Sequence, residues 1–266
     1  MSNFNKFLER LKKMVDNNNL KDGNKVLTEK EVIVGYGNYD SKILFVGKES
    51  TESPEKACNS LFHNLNIQER PNWTRERNKE EVIDPKTGKK RPNYWSNSGT
   101  LWWKYQTLID YVRFDGCRQG RREKFDFENF VYCTEMNNSH SKRTSDADKS
   151  TIDWRKKLFF KDPYFKDFSV IVLACSNYIS GPEIEEIFDV TFTNACTLLP
   201  NSHKRKGTMN DTFWCHLSND GKRLVIHACN LSGAIKDGML KWMARIIESH
   251  LKKNGHFDLT FNQGRH

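Results

Sequence analysis

The stretch Gly47-Lys48-Glu49-Ser50-Thr51 puts an amine, a carboxylate and two hydroxyls directly behind four apolar residues, Ile43 to Val46. A lysine can hold a phosphate or act as a nucleophile, and a carboxylate can take a proton from water. Their place in the chain makes such chemistry reachable. Ile43-Leu44-Phe45-Val46-Gly47 has the short, β-prone composition of a buried parallel strand. In open α/β sheets, ligands bind beyond the carboxyl ends of the strands. The alternative is a plain turn with solvated charges. Two further runs share the layout. Thr134-Glu135-Met136-Asn137 follows the apolar residues Phe130 to Cys133, and His227-Ala228-Cys229-Asn230-Leu231-Ser232 follows Leu224 to Ile226. Three parallel strands would bring these three loops to one edge of a sheet.

The elements that must position the loops alternate between strand and helix. Phe4, Phe7, Leu8, Leu11, Met14 and Val15 recur at helical spacing, so an amphipathic entry helix is predicted over 3–16. A short edge strand is predicted at Val32 to Val34, before a turn at Gly35-Tyr36-Gly37. Pro54 suits the first turn of a helix running to Leu65. Ser98 is a good N-cap for a helix over 99–112, and residues 153–160 read as helical. Val170 to Cys175 is the third clear strand. Pro182 opens a helix to Phe188, a further strand is predicted over Val190 to Phe192, and Ala234 to Lys252 reads as the closing helix. This order predicts a single α/β domain, a three-layer α/β/α fold around a central, mostly parallel four-stranded sheet with right-handed crossovers.

Between the second and third predicted helices, residues 66–95 read as a charged insertion with Pro71, Pro85 and Pro92. Trp73, Tyr94 and Trp95 are interleaved with its lysines and arginines, the composition of a basic flap against a phosphate backbone. A solvated excursion is the alternative. The net charge of +9 over 266 residues favours an acidic partner, nucleic acid above all. No apolar run approaches the length a bilayer requires, and the charged N-terminus is unlike a signal peptide. Seven scattered cysteines without CxxC spacing imply free thiols in a reducing cytoplasm and no structural metal.

Taken together, the loops from Lys42 to Lys252 resemble those of the uracil-DNA glycosylase superfamily. Phe45-Val46-Gly47-Lys48-Glu49 stands where the family has a strand, a glycine and acidic or Asn-containing residues with a proline, which is Ser50 here. The loop from His227 to Ser232 keeps the His, Leu and Ser of the family's His-Pro-Ser-Pro-Leu-Ser and neither proline. The resemblance implies a monofunctional DNA glycosylase that flips a nucleotide, hydrolyses its N-glycosidic bond and leaves an abasic site. It makes Glu49 the catalytic carboxylate that orients water and stabilises an oxocarbenium-like sugar. It makes His227 the contact to the base oxygen as negative charge develops there. Leu231 becomes the wedge that fills the space of the flipped nucleotide. Asn230, Ser232, Lys142, Arg143, Lys204 and Arg205 become DNA contacts, and Lys48 a phosphate contact with a rival role as nucleophile.

The substrate inference rests on two departures from the family. Thr51 stands where the uracil-specific branch has a tyrosine that excludes groups on C5 of the base. Glu135, with Asn137 as the alternative register, falls at the base-reading position. A carboxylate there accepts from cytosine N4 and is repelled by uracil O4. The implied base is a C5-substituted cytosine, such as the hydroxymethylated and glucosylated forms of phage genomes, and the implied role is antiviral defence. Water is the nucleophile, so no cofactor is expected, and the chain is expected to act as a monomer on DNA. Three alternatives stand beside this reading: a nucleic-acid-binding module that keeps the fold without chemistry, a repair glycosylase for uracil or deaminated bases, and an unrelated α/β enzyme for a small phosphorylated molecule. The last lacks support from GxGxxG or GxxxxGKS/T, and no GxSxG points to a hydrolase of the serine type.

Overall fold

The structure is a computed structural model. It describes residues 2–50, 53, 59–65, 81–83, 88, 90–92, 101–117, 125–141, 144–197, 212–231 and 235–257. The strands are β1 (Lys21–Asp22), β2 (Lys25–Val26), β3 (Tyr36–Gly37), β4 (Ile43–Gly47), β5 (Glu81–Ile83), β6 (Lys90–Pro92), β7 (Tyr132–Glu135), β8 (Val170–Leu173), β9 (Thr191–Thr197), β10 (Thr212–Leu217) and β11 (Leu224–Ala228). The principal helices are α1 (Asn3–Asp16), α2 (Leu61–Leu65), α3 (Leu101–Arg113), α4 (Gly181–Phe188) and α5 (Asp237–Lys253).

The fold is α/β with a mixed sheet of seven strands, ordered β3-β7-β4-β8-β11-β10-β9. The four strands predicted from apolar runs are its contiguous centre, β7-β4-β8-β11, and every pairing among them is parallel. The sheet is wider than the four strands expected because β3, β9 and β10 add antiparallel pairings at its sides. The central strands are buried on both faces, which is why they lack polar alternation. Leu44, Val46, Ile171 and Leu173 face a cluster that includes Phe4, Phe7 and Leu11 of α1 and Ile184 and Phe188 of α4. Ile43, Phe45, Val170 and Val172 face the other cluster, with Leu108 and Ile109 of α3 and Met243 and Ile247 of α5.

Helix boundaries follow local chemistry. The Ser2 hydroxyl caps α1 by accepting from the Asn5 N–H at 3.1 Å. Ser180 and Glu183 form a capping box that starts α4, with Pro182 in its first turn, and Asp189 ends it at φ +54°. The edge strand expected at Val32 to Val34 is absent. Ile33 makes one isolated bridge to Ser60, and the edge position belongs to β3, within the predicted turn. Of the helix expected from Glu52 to Leu65, Leu61–Leu65 is helical as α2, whereas Ser53, Asn59 and Ser60 are not, Ser60 lying in the bridge to Ile33. Within the charged insertion, β5 pairs antiparallel with β6, so this part is a hairpin rather than a structureless loop. Trp73, Tyr94 and Trp95 lie outside the described residues. No helix among the described residues is long and apolar enough to cross a membrane.

Candidate functional site

The carboxyl ends of β7, β4, β8 and β11 open on one edge of the sheet, and backbone hydrogen bonds carry the pairing into the loops. Met136 N–H donates to Gly47 O at 2.9 Å, Asn137 N–H to Lys48 O at 2.8 Å, and Ala174 N–H to Val46 O at 2.8 Å. Glu49 is therefore held on a braced loop. Each of its oxygens accepts a hydroxyl hydrogen bond: Thr144 Oγ1 donates to Oε1 at 2.6 Å, and Tyr178 OH donates to Oε2 at 2.6 Å. Tyr178 sits in the short helical turn Ser176–Tyr178 after β8. Burial, then the hydrogen bond to Glu49, raises its phenol and keeps it a donor. Lys48 Nζ lies 5.1 Å from the Tyr178 ring centre and Lys149 Nζ 5.8 Å, so two cations flank the residue that orients Glu49.

Glu135 is the second carboxyl at this edge. It ends β7 opposite Gly47, and only 8% of the residue is exposed. Its side chain lies over Gly47: a Cβ there would overlap Glu135 Oε2 and sit 3.0 Å from Cδ. Oε2 is shut off from solvent with no hydrogen-bond partner. Burial foremost, and then the charge of Glu49, push the carboxyl up to about 8, against an opposing pull from Arg155. Both influences favour its neutral acid form. Arg155 braces the same loop from beneath without bonding the carboxyl. This fully buried guanidinium donates twice to the Glu135 backbone carbonyl, to Ile33 O at 2.6 Å and to Thr134 Oγ1 at 2.8 Å. Its plane stacks 3.5 Å from the Phe159 ring centre.

His227 reaches the same edge but belongs to a different cluster. Its Nε2 lies 2.8 Å from Ser176 O. A carbonyl only accepts, so Nε2 carries the proton and that N–H is committed. Burial lowers the imidazole, so it is neutral at pH 7. The Ser176 hydroxyl accepts from Asn230 N–H at 2.9 Å, and Ser176 itself is held at φ +50°. Ser176 to Tyr178 thus links the His227 loop to Glu49. The side chains of His227 and Glu135 do not meet. They stand three strand spacings apart, about 14 Å. Strand alternation puts His227 on the α1 and α4 side with Val225, and Glu135 on the α3 and α5 side with Cys133. All three loops lie at one edge of the sheet, with Glu135 paired opposite Gly47 and the Ser176–Tyr178 turn joining His227 to Glu49.

Three more expectations change. Leu231 is fully buried in the core beside Ile235 and Met239, so it is not presented as a wedge. Asn137 is also fully buried and is spent internally: its Nδ2 donates to Asp148 O at 2.7 Å and its Oδ1 accepts from the Thr151 hydroxyl. It is not free to read a base. Asn230 is half-buried at the edge through its backbone bond to Ser176. Thr51, Ser232, Lys142, Arg143, Lys204 and Arg205 lie outside the described residues.

Thr144, Tyr178, Ser176 and Arg155 are the site residues that sequence reasoning missed. Tyr178 and Ser176 carried a usable signal, because they follow the third parallel strand at its carboxyl end. Thr144 and Arg155 carried none, since a polar loop and a basic helical turn read as solvated surface. Compared with protein-family models, curated proteins and solved structures, the chain gives no match.

Proposed function

We propose that this chain hydrolyses the N-glycosidic bond of a nucleotide extruded from DNA and leaves an abasic site. The observation that carries the proposal is Glu49, a carboxylate at the carboxyl edge of the parallel strands whose two oxygens are fixed by Tyr178 and Thr144. Such a group can orient water toward the sugar C1′ and stabilise the positive charge that develops there as the base departs. Lys48, beside Tyr178, supplies a phosphate contact, and the net charge of +9 suits a polyanion. Apolar clusters on both faces of the parallel core are compatible with the three-layer glycosylase-like arrangement. Free thiols at the six described cysteines suit a reducing cytoplasm.

For the base, C5-substituted cytosine is favoured by Thr51, on sequence grounds. A protonated Glu135 both donates and accepts, so the repulsion of uracil O4 no longer separates the two bases. His227 has no assigned contact to the base, because its N–H is given to Ser176.

Incubation with phage DNA carrying hydroxymethylated or glucosylated cytosine should give alkali-labile sites and free base, and Glu49→Gln should remove both. A second reading, a DNA-binding module without chemistry, is favoured by the commitment of His227 and the burial of Leu231. Salt-dependent DNA binding with no base released from any DNA would select it.

A further inference from the structure

We infer that Glu135 is a second catalytic residue, the general acid that protonates the departing base. The excised base is then one that leaves poorly as an anion and carries a basic ring nitrogen, cytosine-like or adenine-like rather than uracil-like. This inference rests on the glycosidic reading above and deepens it.

As a structural group Glu135 makes little sense. It is almost wholly buried, and Oε2 lies against Gly47 without a protein donor. Burying a polar group without a partner is unfavourable. The neighbouring cation does not repair this, because Arg155 spends its donors on the Glu135 and Ile33 carbonyls and on Thr134. The carboxyl occupies the space a side chain at position 47 would enter, so a Cβ there would displace it. The nearby buried groups Tyr105 and Cys133 are neutral and leave it unsolvated. What the arrangement does achieve is a pair of carboxyls with opposite tasks. Glu49 is held by two hydroxyl donors, while Glu135 is kept in its acid form by burial and by the charge of Glu49. Environments that split two neighbouring carboxyls in this way assign one as acid and the other as base.

The C1′–N bond breaks and its electron pair goes to the base. The Glu135 carboxyl gives its proton to a ring nitrogen of the base and becomes a carboxylate. Water forms the new C1′–O bond and gives its proton to Glu49. Return of that proton to Glu135, directly or through solvent, resets the pair. A base that departs readily as an anion needs no such proton, which is why the acid specifies the substrate class.

The test compares wild type with Glu135→Gln on duplexes carrying 5-hydroxymethylcytosine and on duplexes carrying uracil, with a protonated-carboxyl infrared band as a readout independent of turnover. Glu135→Gln should slow release of the cytosine-type base by roughly 10²–10⁴-fold and release of uracil by less than about tenfold. The wild-type rate on the cytosine-type base should fall as pH rises past about 8, and the fall should be absent in the variant. The band should be present in wild type at pH 7 and lost in Glu135→Gln. Equal effects on both bases, no effect on either, or no band at pH 7 would overturn the role of Glu135 alone. Absence of base release by wild type from every DNA would overturn the glycosidic reading and this role with it.

Discussion

Replacing Glu135 by glutamine probes the buried carboxyl without any substrate, through the pH dependence of stability. Burial first and the Glu49 charge second raise this group from 4.5 to about 8 in the folded protein. At pH values below 4.5 both folded and unfolded chains hold the proton, and the stabilising effect of the raised value is fully present. As pH climbs toward 8 the unfolded chain releases its proton while the folded chain keeps it. Stability therefore falls by about 1.4 kcal/mol per pH unit across that window. Once the folded chain also ionises the loss levels off at about 5 kcal/mol, a large part of the 5–15 kcal/mol typical of a domain. Glutamine keeps the shape and does not titrate. Urea unfolding of both proteins from pH 4.5 to 9 should show the variant gaining on wild type by up to about 5 kcal/mol across this range. The buried His216 and His250 and the half-buried His227, all lowered by burial, titrate in both proteins and cancel in the difference. A stability difference that stays flat with pH would refute the burial of an unpaired carboxyl at this position.

Further outcomes follow from the same geometry. Gly47→Ala should cost about 1–3 kcal/mol in chemical unfolding by overpacking against Glu135, and most of that cost should vanish in a Glu135→Ala background. Arg155→Met should destabilise by about 3 kcal/mol or more, because the Ile33 and Glu135 carbonyls lose their buried donor; lysine should not restore it, lacking the planar fork. Tyr178→Phe removes one of the two donors to Glu49 and should shift stability by no more than about 1.5 kcal/mol. Its single-turnover base release should drop up to about 100-fold, the cost of a misaligned carboxylate.

The centre of the sheet was legible because the apolar runs Ile43–Val46, Phe130–Cys133, Val170–Cys175 and Leu224–Ile226 form or lead into β4, β7, β8 and β11, which are largely buried on both faces. The same logic missed β10, whose Thr212-Phe213-Trp214-Cys215-His216-Leu217 mixes polar and aromatic residues, and shortened β9, whose residues are exposed except Cys196. Glu49 was found because strand ends are where ligands bind, yet its partners Tyr178 and Thr144 come from loops 129 and 95 residues away in sequence. Arg155 reads as a solvated base in a basic segment, and only the tertiary contacts reveal that it is fully buried. Leu231 and His227 were given roles through short motif likenesses, and such likenesses do not encode which face of a sheet a side chain takes. Strand alternation decides that, and it separates His227 from Glu135.

The most direct measurement is single-turnover release of free base from hydroxymethylcytosine-containing DNA, followed by mass spectrometry, for wild type and Glu49→Gln at equal DNA occupancy. Wild type should release the base stoichiometrically with abasic sites, and Glu49→Gln should be slower by roughly 10²–10⁴-fold with unchanged folding and DNA affinity. A variant that releases base at the wild-type rate would contradict Glu49 as the carboxylate that directs water to the sugar.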